Sequence, residues 1–217
     1  MTNQPLVSCI MPTANRQKYI PLALKHFFSQ DYINSELIII DDGKESIASL
    51  LPDDPRIRYF YTKSVGSIGA KRNLACEKAQ GEIIMHWDDD DFYAPDWISK
   101  QYHYLISSGA DICGIEHIHF FSPVTDTLWL GTAMNRNNPS IPNQWLSGAT
   151  LAYRKSFWSS NPFKDLQTGE DDNFIAKPGA VVFAHDYIDG FVAVLHPGNT
   201  TVKYFENPKH KVLQTGL

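Results

Sequence analysis

Two short acidic clusters are the first residues in this chain whose types and spacing invite chemistry. Asp88-Asp89-Asp90-Asp91 and Glu170-Asp171-Asp172 hold seven of its 24 carboxylates. The first follows the apolar segment Glu82-Ile-Ile-Met-His-Trp87, and four successive carboxylates there repel one another unless a cation is near. Held in a turn, they form an oxygen-rich site for a hard divalent ion, Mn²⁺ or Mg²⁺, with positions left open for a phosphate. A helix–loop–helix calcium site does not fit: counting from Asp88, position 6 is Tyr93 and position 12 is Ser99, where Gly and Glu are required. A solvated acidic turn is the alternative, and the flanking Trp87, Phe92, Tyr93 and Trp97 weigh against it. The second cluster lies in Thr168-Gly-Glu-Asp-Asp-Asn-Phe174 and opens a predicted short helix. Its carboxylates either complement the helix dipole or supply a general base placed opposite the metal.

Other catalytic templates fail. The chain contains no G-x-x-x-x-G-K-[ST], G-x-G-x-x-G, G-x-S-x-G or H-E-x-x-H. Gly66-Ser-Ile-Gly69-Ala-Lys71 is too short for a phosphate-binding loop of the first kind. The odd spacing of Cys113, His117 and His119 places them on one face of a predicted strand, but no fourth zinc ligand is near and strand packing explains them better.

The composition limits the class. The 217 residues carry 19 Lys and Arg against 24 Asp and Glu, a formal net charge of −5. A nucleic-acid partner, which calls for a cationic surplus, is not expected. With 43 % apolar and 12 % aromatic residues the chain can build a core, and its length suits one large domain. Cys9, Cys76 and Cys113 are odd in number and scattered, which suits a reducing compartment, and a cytoplasmic location is expected. The N-terminus lacks a basic region ahead of its apolar run, which Pro12 interrupts, and no run approaches the ~18 residues of a transmembrane helix. Peripheral membrane contact stays open.

Short apolar runs alternate with helical segments through the first half. Strands are predicted at Leu6–Met11, Glu36–Ile40, Arg56–Tyr61 and Glu82–Trp87, and helices at Tyr19–Gln30, Gly69–Gln80 and Pro95–Ser107. This order implies βαβ units and a mostly parallel sheet, which binds ligands beyond the carboxyl ends of its strands. Thr13-Ala-Asn-Arg16, Asp41-Asp42 and the Asp88 cluster each follow a strand, so they should converge on one rim. In the second half, Ile112–Phe121 and Thr127–Leu130 read as a hairpin, with further strands at Ala149–Tyr153, Val181–Ala184 and Phe191–Leu195.

Six motifs appear in an order that resembles family 2 glycosyltransferases. They are Ile10-Met-Pro-Thr-Ala-Asn-Arg16, Leu37-Ile-Ile-Ile-Asp-Asp-Gly43, Gly69-Ala-Lys-Arg-Asn73, Gly81-Glu-Ile-Ile-Met-His-Trp-Asp-Asp-Asp-Asp91, Gly148-Ala-Thr-Leu-Ala-Tyr-Arg154 and Gly169-Glu-Asp171. The resemblance runs from about Leu6 to Phe205. It implies a GT-A, Rossmann-like three-layer α/β/α sandwich with a mostly parallel central sheet and a small mixed acceptor-side half. Residues 1–217 then form one domain, with a nucleotide-binding half at 1–110 and an acceptor-binding half at 111–217.

The implied chemistry is metal-dependent, inverting transfer of one sugar from a nucleotide-sugar, a UDP-sugar first, to a hydroxyl of a glycan, lipid-linked or small-molecule acceptor. Donor binding falls to Pro12, Thr13, Asn15, Arg16, Asp42, Arg72, Asp88 and Asp89, with Asp42 able to accept from a uracil N–H. Asp90 matches the metal-ligating position, joined by Asp88 and by His196 of His196-Pro-Gly-Asn-Thr200. Asp171 matches the catalytic base, with Glu170 beside it, and Trp145, Gly148 and Ala149 fall on the acceptor side. Ala14 departs from the aromatic residue common at that position, which loosens the nucleotide assignment. The absence of a Gln-x-x-Arg-Trp motif argues against a processive synthase. Two alternatives stand beside this reading: a nucleotidyltransferase that makes the nucleotide-sugar, and a non-catalytic nucleotide-sugar-binding module.

Overall fold

The computed structural model describes residues 4–132, 145–199 and 211–213. In chain order the elements are β1 (Val7–Thr13), α1 (Ile20–Phe28), β2 (Ser35–Asp41), β3 (Ile57–Tyr61), α2 (Ile68–Lys78), β4 (Ile83–His86), β5 (Phe92–Tyr93), α3 (Trp97–Ser108), β6 (Ile112–Ile115), β7 (His117–Ser122), β8 (Thr127–Thr132), β9 (Ala152–Arg154), α4 (Lys155–Ser160), α5 (Glu170–Ile175), β10 (Val182–His185), β11 (Phe191–Val194) and β12 (Lys211–Leu213).

The main sheet runs β10-β6-β9-β4-β1-β2-β3. β1 pairs in parallel with both β2 and β4, and β2 with β3. Strands covered on both faces read as unbroken apolar runs, and Leu37-Ile-Ile-Ile40 of β2 is wholly buried. Their side chains alternate between two cores. Cys9, Met11, Leu37, Ile39 and Met85 join Phe27 of α1 and Leu105 of α3 on one face. Ile10, Ile38, Ile40 and Ile84 join Cys76 of α2, Trp158 of α4 and Phe174 of α5 on the other. The result is a three-layer α/β/α sandwich with one reversed strand, since β9 lies antiparallel between β4 and β6.

A second sheet, β12-β8-β7-β11-β5, packs Ile118, Phe120, Phe191 and Ala193 into the first core. The predicted strand Ile112–Phe121 is in fact two: Glu116 separates β6, in the main sheet, from β7, in the second. Cys113 therefore lies buried with its Sγ 3.4 Å from Gln101 Oε1, while His117 is exposed on the other sheet. The one-face array of Cys113, His117 and His119 does not form. β5 was invisible in the sequence because two residues carry no periodicity. Its pairing with β11 (Phe191↔Tyr93) has a consequence for the acidic turn, which is tethered to the main sheet by β4 and to the second sheet by β5.

Candidate active site

The acidic turn gives each of its four carboxylates a different environment. Asp91 Oδ1 accepts from the backbone N–H of Val194 at 2.9 Å, binding the turn to β11. Asp89 accepts from Thr13 Oγ1 at 2.6 Å and lies 2.8 Å from Arg16 Nε, so the loop after β1 closes on the turn after β4. Asp90 Oδ2 is shared by the Arg16 guanidinium, His196 Nε2 at 2.9 Å and Asn199 Nδ2 at 3.1 Å. Asp88 faces the cavity, and among the described residues its carboxylate takes no hydrogen bond. Burial raises Asp88 above the usual carboxylate range, with the charges of Asp90 and Asp171 adding and those of Arg72 and Arg16 opposing. Burial likewise pushes Asp89 up to about 7 against Arg16 and Thr13.

The second acidic cluster forms the first turn of α5, where the helix dipole favours negative charge. Its position depends on α2. A β-carbon at Gly69 would stand 1.9 Å from the carbonyl oxygen of Lys164, so only glycine lets the segment leading into α5 lie this close to α2. That approach brings Glu170 onto the buried Arg72 guanidinium, which also lies over the Phe163 ring at 5.9 Å. Burial raises the Glu170 carboxyl and Arg72 opposes the rise. Asp171 turns into the cavity against Gly148, and Asp172 Oδ1 accepts from Trp145 Nε1 at 2.7 Å.

These groups line one cavity of about 860 Å³, within the range of small-molecule sites. Pro12, Thr13, Asn15, Arg16, Arg72, Asp88, Asp89 and Asp90 line it, and so do Trp145, Gly148, Ala149, Glu170 and Asp171. Asp42 lies outside the lining. Its carboxylate pairs with Lys71 and accepts from the Val65 N–H at 3.2 Å, and Lys71 is the member of that pair on the cavity wall. Sequence reasoning did not single out Lys71. The available signal was an adjacent Lys-Arg pair near the start of α2, two cations that burial forces to find carboxylates. Arg72, expected at the base or phosphate, lines the cavity and pairs there with Glu170. His196 reaches the site through Asp90, and its Nδ1 accepts from the Gly198 N–H at 3.0 Å.

The family model described as glycosyl transferase family 2 matches residues 8–163. The chain belongs to glycosyltransferase family 2.

Its fold is GT-A. Among solved structures of that fold, S. aureus TarS 1–349 in complex with UDP-GlcNAc matches with a TM-score of 0.66 at 19 % identity, over 91 % of this chain and 61 % of that one. The mannosyltransferase PcManGT from Pyrobaculum calidifontis, in complex with GDP-Man and Mn²⁺, matches with a TM-score of 0.61 at 18 % identity, over 89 % of this chain and 57 % of that one. In sequence, the putative colanic acid biosynthesis glycosyl transferase WcaA of Escherichia coli is 42 % identical over 104 residues, 46 % of this chain and 37 % of that protein. The chain spans less than half the length of the curated relatives it matches first.

The donor set of this family 2 site suits a hard divalent ion in type: the Asp88 and Asp90 carboxylates with the His196 imidazole. Asp88 in particular is a half-buried carboxylate on the cavity wall that takes no hydrogen bond among the described residues, which leaves it open to a cation. The arrangement is not yet that of a coordination shell. Among the described residues no three His, Cys, Asp or Glu side chains are grouped to hold an ion, and Arg16 covers Asp90. Among the described residues, no helix is long and apolar enough to cross a membrane.

Proposed function

We propose that this chain is a glycosyltransferase that moves one sugar from a UDP-sugar to an acceptor hydroxyl of a glycan, lipid-linked or small-molecule acceptor, with inversion at the anomeric carbon. The observation that carries the reading is that Asp171 and the Asp88–Asp90 turn line a single cavity. In this reading the acceptor oxygen attacks C1 of the sugar as Asp171 takes its proton. The bond from C1 to the diphosphate oxygen breaks on the opposite face, and UDP leaves. Such a base contributes about 10²–10⁴-fold. Arg16 and Lys71, two cations of the cavity lining, meet the diphosphate charge. Asp88, Asp90 and His196 would hold Mn²⁺ or Mg²⁺, which when bound offsets the negative charge that develops on the leaving diphosphate. Trp145, Gly148 and Ala149 form the acceptor wall. The nucleotide-sugar-bound GT-A neighbours support a nucleotide-sugar donor. The buried free thiols of Cys9, Cys76 and Cys113 suit a cytoplasmic setting.

Calorimetry with UDP and kinetics on Asp171→Asn test the assignment. UDP affinity should be kept while turnover falls about 10²-fold or more. Near-normal transfer by the variant, or a product that retains the donor's configuration by NMR, overturns it.

A further inference from the structure

His86 is the last residue of β4 and stands two residues before the acidic turn, yet it takes no part in the cavity lining. It is 1 % exposed. Its Nδ1 lies 2.5 Å from the carbonyl oxygen of Gly148 and its Nε2 lies 3.4 Å from Tyr153 Oη. A carbonyl only accepts, so Nδ1 carries the proton and Nε2 accepts from the tyrosine hydroxyl. Cys76 Sγ lies 3.3 Å from the same hydroxyl, and the thiol donates to it. Burial pushes the Cys76 thiol up to about 12, so its hydrogen is retained. A chain of hydrogen bonds thus runs from α2 through β9 and β4 to the 3₁₀ turn Gly148–Thr150, with every member buried.

The far end of this chain touches Asp171. A β-carbon at Gly148 would stand 1.7 Å from Asp171 Oδ2 and 2.7 Å from its Cγ, so the carboxylate rests on the bare backbone of Gly148. The turn is also pinned by backbone bonds at its two ends, Ser147 N to Ile115 O at 2.8 Å and His86 N to Leu151 O at 2.9 Å, and by Thr150, whose Oγ1 accepts from the Ile115 N–H at 3.0 Å and donates to Ser147 O at 2.8 Å. The Gly148 peptide between them is held by the imidazole.

We infer that His86 is a positioning residue for sugar transfer, setting through its Nδ1–H the Gly148 peptide against which the Asp171 carboxylate is seated. The inference rests on Asp171 as the base. It adds a residue that none of the motif positions with an assigned role includes, and one that cannot touch either substrate.

Three variants test it, with steady-state kinetics on a UDP-sugar donor and hydrogen exchange at residues 147–151. His86→Asn keeps a donor where Nδ1 stands. His86→Leu removes it, and His86→Gln keeps polarity but carries its amide toward the Nε2 position, which guards against a leucine variant that fails to fold. His86→Leu and His86→Gln should lower kcat about 10- to 100-fold with donor KM within about twofold, and speed exchange in the turn. His86→Asn should recover most of kcat and the slow exchange. Equal kcat and equal exchange in all three variants, with a wild type that transfers sugar, overturn the inference and leave the transferase reading standing. A wild type that transfers no sugar, while exchange still separates Asn from Leu and Gln, overturns the transferase reading and leaves His86 as the anchor of the turn.

Discussion

The Asp171 carboxylate lies against Gly148 so closely that a β-carbon on residue 148 would fall 1.7 Å from Oδ2. This contact couples the proposed base to the acceptor wall, and it makes residue 148 a sensitive place to perturb catalysis without touching the donor.

Gly148→Ala should therefore displace the carboxylate and lower kcat about 10- to 100-fold, since a misplacement near 1 Å costs on that order. UDP affinity measured by calorimetry should stay within a few-fold, because Gly148 belongs to the wall proposed for the acceptor rather than the donor. An alanine variant that turns over at the wild-type rate would show that Asp171 does not need this seat.

The buried pair of Arg72 and Glu170 gives a stability prediction. Removing one partner leaves the other charged and desolvated, which costs about 3–5 kcal/mol. Arg72→Met and Glu170→Leu should each lower Tm by roughly 10 °C in a scanning calorimeter. The double variant should regain a large part of that loss, since no unpaired charge remains. Additive losses would mean that the two residues act independently.

Arg16 pairs with Asp90, one of the carboxylates proposed to hold the divalent ion. Arg16→Gln should bind Mn²⁺ alone several-fold more tightly than the wild type, because a competing cation has been removed while the carboxylates remain. Chelating divalent ions should weaken UDP binding to the wild type by about tenfold or more. A variant that binds Mn²⁺ no better, by calorimetry or electron paramagnetic resonance, would exclude competition between the guanidinium and the ion. UDP affinity indifferent to chelation would remove the metal from donor binding.

Asp89 predicts a pH dependence. Burial lifts its carboxyl to about 7, whereas in an unfolded chain it titrates near ~3.9. Between those values the native state holds a proton that the unfolded chain has released. The contribution of Asp89 to stability is therefore largest below pH ~4, falls as pH rises to about 7, and is level above that. His185, drawn down to about 4 by burial, acts in the opposite sense, weakening the fold as pH falls from ~6.5 toward 4. Asp89→Asn isolates the first effect. In metal-free urea unfolding, the stability of the variant relative to wild type should rise by about 2 kcal/mol between pH 5 and pH 7. A constant difference across that interval would place the Asp89 carboxyl in its ordinary range.

Periodicity alone located the parallel core. Leu37-Ile-Ile-Ile40 and Ile83-Ile-Met85 are apolar on both faces, a pattern that only a strand covered by two helical layers satisfies, and polar residues immediately after such strands must lie at their carboxyl ends. Hence Thr13, Arg16 and the Asp88–Asp91 turn could be brought together on one rim from sequence, and Thr13, Arg16 and Asp89 do meet there. What the chain order could not reveal was the partner of each charge. Lys71 and Arg72 are adjacent on α2, and whether each neutralises Asp42, Glu170 or a bound phosphate depends on how closely residues 164–170 pass the helix, which the missing side chain of Gly69 decides. The break at Glu116, the reversal of β9 and the two-residue β5 are likewise settled by long-range pairing. A local pattern dictates which face of an element is buried. Burial of a charge is a property of two segments at once, and only the folded chain decides which two.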